Sequence, residues 1–546
     1  MVKTCLSVVM LTIVLVGLTP SCWSCTSLLV TKGASADGSV MITYTCDGVF
    51  HPTLESSPAG DFPPGDSLPI TDWHDNVRGW IKQVEHTYAV VGLMNEHQLA
   101  ISETTFDGHK ELRNTQGLLH YWDLMQLALQ RSRTAREAIT VMTDLVARYG
   151  YGSTGETFSL ADTEEAWIME MIGPGEGGTG AAWVALRVPD GYISCHANKA
   201  RIGRFPLDDP ANCVYSENVM SLAIEKGYYD PDSGNPFLFN EAYCPSTPKN
   251  QRWGDTRVWS IFRRAAPSMN LSPDFHRAVP DAEPYPLWIK PDARVSLAGV
   301  FELMRDHYEG TAFDMTRGVD AGPYGSPYRW RPLDFAVDSV EYAWERQIST
   351  QQTGFSFVSQ SRGNLPDPIG GVYWYGVDDT YTTVWCPLYC SINRLPESFT
   401  QGDIRSFSWG SAWWVFNFVA NYANLKYSFM ISDIQAVQAN LEGEALRLQA
   451  TVDRAALDLY ESDRAGMVRY LTDYSVSHAE RVVARWRRLG EELMVKYNDG
   501  YVRSAEKGAE MKGYPDAWLK EIVTSRPDQF LLPVADTIRP EPRLVD

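Results

Sequence analysis

The order in which hydrophobic periodicities change along the chain restricts its fold more than any other feature. Apolar, β-branched runs typical of strands occupy residues 25–45, and two more short runs of this kind lie within residues 87–106. Residues 119–149 repeat apolar side chains at the three-to-four spacing of a helix, and strand-like runs resume over residues 157–196. Strands, then helices, then strands again predict a layered α+β architecture rather than alternating βαβ units.

The composition requires a globular chain with a large core. The chain has 546 residues, of which 44% are hydrophobic and 12% are aromatic, and it contains 18 tryptophans. This content excludes disorder as the general state. The chain carries 48 basic and 68 acidic side chains, a net charge of −20. That balance argues against a nucleic-acid partner, which would require a cationic face.

The first 24 residues are organised like a cleaved export signal. The apolar run at 6–18 follows a short basic start and is too short to span a bilayer comfortably. Cys22 and Ser24 supply the small side chains that suit a cut before Cys25. We therefore expect a signal peptide, a secreted or periplasmic mature protein, and no membrane span after cleavage. An uncleaved membrane anchor is the alternative.

Cleavage at this point would make Cys25 the first residue of the mature chain. Such a cysteine carries a thiol nucleophile and a free α-amine, whose ordinary pKa of about 7.7–8.0 suits a general base. A hairpin predicted over residues 25–45, with its turn near 33–38, brings the end of its second strand back to Cys25. Cys25 is therefore expected beside Cys46 and Asp47, close to a carboxylate. The alternatives are an apolar residue that opens a strand and one half of a disulfide.

The number of cysteines leaves disulfides open. Seven follow the predicted signal peptide: Cys25, Cys46, Cys195, Cys213, Cys244, Cys386 and Cys390. Because seven is odd, at least one is unpaired in a monomer, and Cys25 is the natural candidate. Cys213 with Cys244, and Cys386 with Cys390, are plausible pairs by proximity in sequence only. The last two have no second pair at zinc-ligand spacing, so no metal site is indicated.

Two long helices are predicted near the C-terminus. Apolar side chains keep a three-to-four spacing over residues 434–459 and again over 479–493. We interpret these segments as an antiparallel helical pair that packs on the main body of the protein.

Several short motifs follow one another in a fixed order. They are CTSLLVTKGAS at 25–35, GLMNE at 92–96, SETTF at 102–106, HANKARIG at 196–203 and DTRVW at 255–259. Together they resemble the secernin-type dipeptidases, which are N-terminal-nucleophile cysteine peptidases related to the choloylglycine and penicillin V amidases. The resemblance spans most of the mature chain. It implies a four-layer αββα fold and hydrolysis of an amide bond, a chemistry that needs no cofactor. We place the catalytic domain over residues 25–425 and the helical pair in a C-terminal extension over 426–546.

The resemblance also implies catalytic roles. Cys25 would attack the scissile carbonyl as a thiolate, its α-amine would carry the proton, and an acyl-thioester would form. Asp47 matches the carboxylate that holds this amine. Asn198 and the backbone N–H of Thr105 are the expected oxyanion donors. Arg257 matches an arginine that would favour the thiolate. Each of these side chains has an ordinary structural alternative as a turn, capping, strand or ion-pair residue.

Substrate recognition adds two candidates. A dipeptidase needs an anion for the free α-ammonium of its substrate, and Glu103, beside the presumed oxyanion site, is our candidate. Arg201 competes with Arg257 for the place near the thiol and is otherwise assigned to substrate binding, and one of the two is expected only to pair with a carboxylate. Amidase relatives carry an arginine where this chain has Tyr44, which disfavours a bile-salt amidase.

The sequence therefore predicts a secreted dipeptidase that acts on dipeptide substrates. The first alternative is an amidase of N-acyl amino acids or conjugated bile salts. The second is a non-catalytic surface protein that binds peptide or glycan through its many aromatic side chains, although a large core explains those side chains equally well. A homo-oligomer is compatible with the sequence.

Overall fold

The computed structural model describes residues 25–48 and 53–532, so the predicted signal peptide at 1–24 lies outside the described residues. The strands are, in chain order, β1 (Ser27–Val30), β2 (Val40–Asp47), β3 (Ser56–Ser57), β4 (Gly60–Asp61), β5 (Ser67–Thr71), β6 (Val77–Lys82), β7 (His86–Thr87), β8 (Val90–Val91), β9 (Met94–Asn95), β10 (Ala100–Phe106), β11 (Gly155–Ala161), β12 (Ala166–Ile172), β13 (Ala182–Arg187), β14 (Ile193–His196), β15 (Cys213–Tyr215), β16 (Trp288–Ile289), β17 (Asp334–Val337), β18 (Val340–Ala343), β19 (Thr353–Ser361), β20 (Gly371–Val377), β21 (Cys386–Tyr389), β22 (Tyr501–Ser504) and β23 (Gly508–Met511).

The helices are, in chain order, α1 (Tyr121–Arg131), α2 (Ala135–Tyr149), α3 (Ser221–Glu225), α4 (Phe239–Tyr243), α5 (Pro248–Asn250), α6 (Thr256–Ala265), α7 (Leu297–Leu303), α8 (Asp367–Gly370), α9 (Ala412–Ala423), α10 (Tyr427–Ser462), α11 (Arg464–Tyr497) and α12 (Asp516–Ser525). A π-helical turn, Gln251–Asp255, leads directly into α6.

Two antiparallel sheets contain most of the strands. Sheet A has the order β16-β14-β1-β2-β19-β20-β21, and sheet B has the order β15-β13-β12-β11-β10-β9-β8-β3. Strand β2 of sheet A contacts β10 and β11 of sheet B. Helices α1 and α2 contact β10 to β12, whereas α9, α10 and α11 contact β20 and β21. The predicted α+β class is confirmed.

The two sheets are covered on both faces along their central strands. Every residue of β2, β11, β12, β19 and β20 is buried. Unlike a half-exposed antiparallel strand, such a strand does not need to alternate apolar and polar side chains. Because both faces of these strands are covered, polar side chains on either face, such as Tyr44, Asp47 and Glu156, are buried.

The helical stretch predicted over 119–149 consists of two helices. Helix α1 ends at Arg131, and the next residue, Ser132, is extended at φ −132° and ψ 149°. Thr134 then caps α2, because its side chain accepts a hydrogen bond from the Glu137 backbone N–H. The apolar periodicity continues across this break, so the sequence pattern alone does not reveal it.

The C-terminal helical pair is present and longer than predicted. Helix α10 spans Tyr427–Ser462 and α11 spans Arg464–Tyr497, and the two helices contact each other. Between them, Asp463 leaves the helical conformation at φ −149°, and its side chain accepts from the Gly466 N–H to cap α11. Among residues 25–48 and 53–532, the helices include none that is both long and apolar enough to cross a membrane.

A buried ion pair connects α10 to sheet A. The Arg362 guanidinium donates to Asp453 at 2.5 and 3.2 Å, and the Tyr389 hydroxyl donates to the same carboxylate at 2.7 Å. Asp453→Ala should lower the free energy of unfolding by about 3–5 kcal/mol, because it leaves a buried guanidinium uncompensated. Urea unfolding measures this loss. Asp458→Ala, exposed on the same helix, should change it by less than about 0.5 kcal/mol, and equal losses in both variants would contradict the assignment.

The cysteines are buried free thiols at all seven positions that follow residue 24. Neither Cys213 with Cys244 nor Cys386 with Cys390 forms a disulfide in the structure.

Candidate active site

The hairpin of β1 and β2 positions Cys25. Thr26 bridges Thr45 in antiparallel register, so Cys25 comes opposite Cys46. The Thr26 N–H donates to the Thr45 Oγ1 at 3.0 Å, and the Cys46 thiol is near enough to Cys25 to contribute to the raised pKa of its thiol. The predicted approach of the second strand to Cys25 is therefore present in the structure.

The thiol lies between the two sheets. Its Sγ is 3.7 Å from the Tyr44 hydroxyl of β2 and 3.7 Å from Oε1 of Glu103, which β10 contributes from sheet B. The Tyr44 hydroxyl donates to the same Glu103 oxygen. Burial, the Cys46 thiol and the Glu103 carboxylate together raise the pKa of Cys25 well above its usual value. The thiol therefore stays protonated at neutral pH, and its attack needs a base.

Glu103 belongs to a buried pair of carboxyl groups. Its neighbour is Glu156 of β11, which lies opposite Thr105 in register, and the Thr105 Oγ1 lies 3.0 Å from Glu156 Oε1 and 3.4 Å from Glu103 Oε2. Two carboxyls this close repel each other when both are ionised, and a proton on one of them removes the repulsion. Burial raises the pKa of both groups, and burial plus the Glu103 charge raise that of Glu156 well above its usual range. Of the two groups, Glu156 therefore holds its proton more strongly than Glu103.

Asn198 holds the backbone of Cys25 rather than its thiol. The Cys25 nitrogen donates to the Asn198 Oδ1 at 2.8 Å, and the Asn198 Nδ2 donates to the Thr105 carbonyl at 2.7 Å. Asn198 has φ +54°, a left-handed conformation that asparagine tolerates better than most residues. The amide therefore links two residues that the sequence analysis places in the same site.

Arg257, on helix α6, binds the segment that contains Cys25 and Thr26. Its Nη1 donates to the Cys25 carbonyl at 2.6 Å and to the Thr26 hydroxyl at 2.9 Å, and its Nη2 donates to the Asn198 Oδ1 at 2.9 Å. Burial, and then the Arg346 charge, lower the pKa of Arg257 to about 9, so the group remains a cation at neutral pH. Arg257 lies near Cys25 as expected, but it binds the backbone carbonyl.

Asp47 lies on the other face of β2. Side chains alternate along a strand, so Tyr44 and Cys46 face sheet B while Asp47 points away from it. Its carboxylate pairs with Arg346 and accepts from the Thr353 hydroxyl at 2.6 Å. Asp47 nevertheless raises the pKa of Cys25 through its charge, which places the carboxylate near the nucleophile.

The two arginines considered for the place near the thiol have different contacts in the structure. The Arg201 guanidinium donates to the carbonyls of Cys195, Leu287, Tyr285 and Pro286, at 2.5 to 3.3 Å. The backbone N–H of Arg201 donates to the Glu170 carboxylate at 2.5 Å. Arg201 thus joins strand β14 to the segment at 285–287, whereas Arg257 is the arginine that contacts Cys25.

Two neighbours of Cys25, and one neighbour of Glu103, were not assigned a role from the sequence. The predicted hairpin already brings Cys46 beside Cys25. Because side chains alternate along a strand, Tyr44 lies on the same face of β2 as Cys46, so both residues could have been identified from the sequence. Glu156 lies at the start of β11, which begins at Gly155. Its pairing with Glu103 follows from the β10–β11 register, which no local sequence signal fixes.

A cavity of about 270 Å³ lies beside the thiols. Its lining side chains are mainly aromatic or apolar, and they include Cys46, Trp73, Tyr121, Trp122, Phe355, Tyr373 and Tyr375. Gly92, at φ +58°, forms part of the wall, and a Cβ there would lie 2.5 Å from the Tyr373 ring. Among residues 25–48 and 53–532 we find no group of three or more His, Cys, Asp or Glu side chains arranged to hold a metal.

A buried thiol beside a hydroxyl and a carboxyl, with its backbone fixed by an amide and a guanidinium, fits the class of cysteine-type hydrolases. The chain belongs to peptidase family C69, whose sequence model matches residues 63–440. The matched segment includes Glu103, Asn198 and Arg257 and begins after Cys25.

The relatives agree with this family. A probable dipeptidase of Salmonella dublin is 26% identical over 410 residues, which cover 70% of this chain and 84% of that protein. A probable dipeptidase of Latilactobacillus sakei is 24% identical over 484 residues, covering 82% and 90%. Dipeptidase A of Lactobacillus helveticus is 21% identical over 426 residues, covering 74% and 82%. The predicted family and the prediction that the chain is a peptidase of this dipeptidase group are confirmed.

Proposed function

We propose that the protein is an exported dipeptidase that uses Cys25 as an N-terminal nucleophile. The observation that carries the proposal is the 3.7 Å distance between the Cys25 Sγ and the Glu103 carboxylate. The names of the relatives and the family support hydrolysis of dipeptides. The packing of helices on the outer faces of two contacting sheets supports the four-layer αββα fold of N-terminal-nucleophile hydrolases.

The short distance limits how much substrate fits between the two groups. In a dipeptide, the α-ammonium nitrogen and the scissile carbonyl carbon are separated by two bonds, or about 2.5 Å. A carbonyl carbon in attack position lies about 3–3.5 Å from the sulfur, which leaves the ammonium within hydrogen-bond reach of Glu103. One more residue would move the ammonium about 3.8 Å further away. Glu103 therefore selects cleavage after the first residue of the substrate.

The charge of the site fits the same ligand. In the proposed state Glu156 keeps its proton and Glu103 is ionised, so the pair carries a single negative charge, which a single α-ammonium neutralises. Two ionised carboxylates would leave an excess charge in a buried site, at a large desolvation cost. A substrate with a blocked amino group would instead leave the Glu103 charge unpaired.

The chemistry uses the backbone of Cys25 as well as its thiol. After cleavage of the leader, the α-amine beside Asn198 takes the thiol proton while the sulfur attacks the carbonyl carbon. The tetrahedral intermediate breaks the C–N bond, and the leaving amine takes the proton from the α-amine. Water then hydrolyses the thioester and releases the first amino acid. Asn198 and the Thr105 N–H are the proposed oxyanion donors, and Asp47 helps to place the amine through its charge.

The test is amino-acid release from free dipeptides, the same dipeptides with acetylated amino groups, and one glycine-conjugated bile salt. Mass spectrometry of the mature protein first verifies that the chain begins at Cys25. We expect turnover of free dipeptides and a loss of about 100-fold or more in kcat/KM on acetylation, because Glu103 then loses its cationic partner. Turnover confined to the bile salt would indicate an amidase. No turnover by a protein that begins at Cys25 would favour a binding protein.

A further inference from the structure

The aromatic cavity beside the thiols has no role in the chemistry described so far. Cys46 forms part of its wall and is also the cross-strand neighbour of Cys25. Phe355, on another wall, packs against Tyr44 with ring centroids 5.7 Å apart, and the Tyr44 hydroxyl contacts both Cys25 and Glu103. The cavity therefore opens next to both groups that the proposed mechanism uses to hold a substrate.

We propose that this cavity receives the side chain of the first residue of the dipeptide, and that the enzyme prefers substrates that begin with an aromatic or large aliphatic residue. The proposal rests on the proposed function, because it assumes that Cys25 holds the carbonyl and Glu103 holds the ammonium. Both groups are attached to the Cα of the first residue. Its side chain is the third large substituent on that carbon, so it must point away from Cys25 and Glu103 and into the space beside them.

The size and the lining of the cavity favour one bulky apolar side chain. A volume of about 270 Å³ is below the roughly 300–1,000 Å³ of pockets that enclose drug-sized ligands. The rings of Phe355, Tyr373 and Tyr375 pack with centroids 5.7 and 5.8 Å apart, which gives an aromatic wall. Rings and alkyl groups bind such walls by burial of apolar surface.

The charged side chains on the described lining of the cavity are of one sign. Glu55 is the only ionisable carboxylate among the described residues that line the cavity, and the lining includes no lysine or arginine. An acidic side chain would therefore meet both an apolar wall and a like charge. We expect substrates that begin with aspartate to be poor.

Initial rates with Phe-Ala, Leu-Ala, Ala-Ala, Asp-Ala and the reversed dipeptide Ala-Phe test the proposal. We expect kcat/KM for Phe-Ala and Leu-Ala to exceed that for Ala-Ala by about tenfold or more, with Ala-Phe close to Ala-Ala. A preference for Ala-Phe over Phe-Ala would overturn the proposal, because the cavity would then hold the second residue. Equal rates for Phe-Ala and Ala-Ala would also overturn it.

Two variants assign the preference to the cavity. Trp122→Ala removes a wall and should lower kcat/KM for Phe-Ala about tenfold more than for Ala-Ala, and Gln126→Trp should do the same by filling the space. Trp80→Ala, which removes a 60% exposed tryptophan from β6 outside the lining, is the matched control and should change neither rate. Equal losses with both substrates would contradict a specificity role. If Cys25→Ala keeps full activity, the proposed function fails as well; if it is inactive while the preference is absent, only the cavity proposal fails.

Discussion

Replacement of Cys25 by alanine should lower kcat/KM for free dipeptides by about 10⁴-fold or more, as loss of a nucleophile does in other covalent hydrolases. The side chain is buried against Tyr44 and Glu103, and both of these contacts involve the sulfur. Alanine keeps the backbone that Asn198 and Arg257 bind, so we expect the variant to fold and to bind substrate. Amino-acid release under single-turnover conditions measures the loss.

A second buried cysteine provides the matched control. Cys213→Ala removes a thiol from β15, at the edge of sheet B, and should retain dipeptide turnover. Trapping with acid during turnover should show the mass of the acyl group on wild-type Cys25 and none on Cys25→Ala. Substantial activity in Cys25→Ala, with a correctly processed N-terminus, would mean that another group attacks the substrate.

The second large effect concerns Glu103. Glu103→Gln keeps the size of the side chain and an oxygen for Tyr44 but removes the charge that faces the α-ammonium. We expect kcat/KM to fall by about 100-fold or more for free dipeptides and much less for their N-acetyl forms, because only the former lose an ion pair. Rates with both substrate forms measure this difference. An equal loss with both forms would indicate a structural role for Glu103.

Variants of Glu156 test whether the two carboxyls share a proton. Glu156→Gln should cost less than about tenfold, because an amide reproduces the hydrogen-bond donor of a protonated carboxyl. In Glu103→Gln, the neighbouring charge that raises the pKa of Glu156 is gone, so this pKa should fall and Glu156 should ionise as the pH rises. Activity of Glu103→Gln should then recover in part toward higher pH, whereas Glu103→Gln with Glu156→Gln should not. Parallel pH profiles would rule out a shared proton.

The local parts of the site were predictable from sequence, and the parts that depend on register were not. The hairpin turn near 33–38 was enough to place Cys25 beside Cys46, because an antiparallel pair is fixed by its turn. Asp47 is more than 290 residues from its partner Arg346, and Glu103 finds Glu156 only through the pairing of β10 with β11. Both contacts depend on how distant strands align, which hydrophobic pattern alone does not determine.

The strands of sheet A were predicted unevenly for a related reason. Strand β2 follows a recognisable turn, whereas β19 and β20 lie between residues 197 and 433, a stretch that is rich in proline, tryptophan and tyrosine and in which the sequence analysis places no individual strand. These two strands are buried on both faces and so lack the alternation that marks a half-exposed strand. Their neighbours in the sheet, and not their local pattern, explain their conformation.

The position of Arg257 has a consequence for the order in which this protein matures. One guanidinium, on a helix that follows Cys25 by more than 230 residues, connects residues 25, 26, 197 and 198, and Asp47 pairs with a residue still further along. A growing chain therefore lacks the complete constellation until residue 346 has been made. Under the proposed export route, the leader can be removed long before the nucleophile is in place, so a newly exposed Cys25 remains harmless to neighbouring peptides until the whole domain has folded.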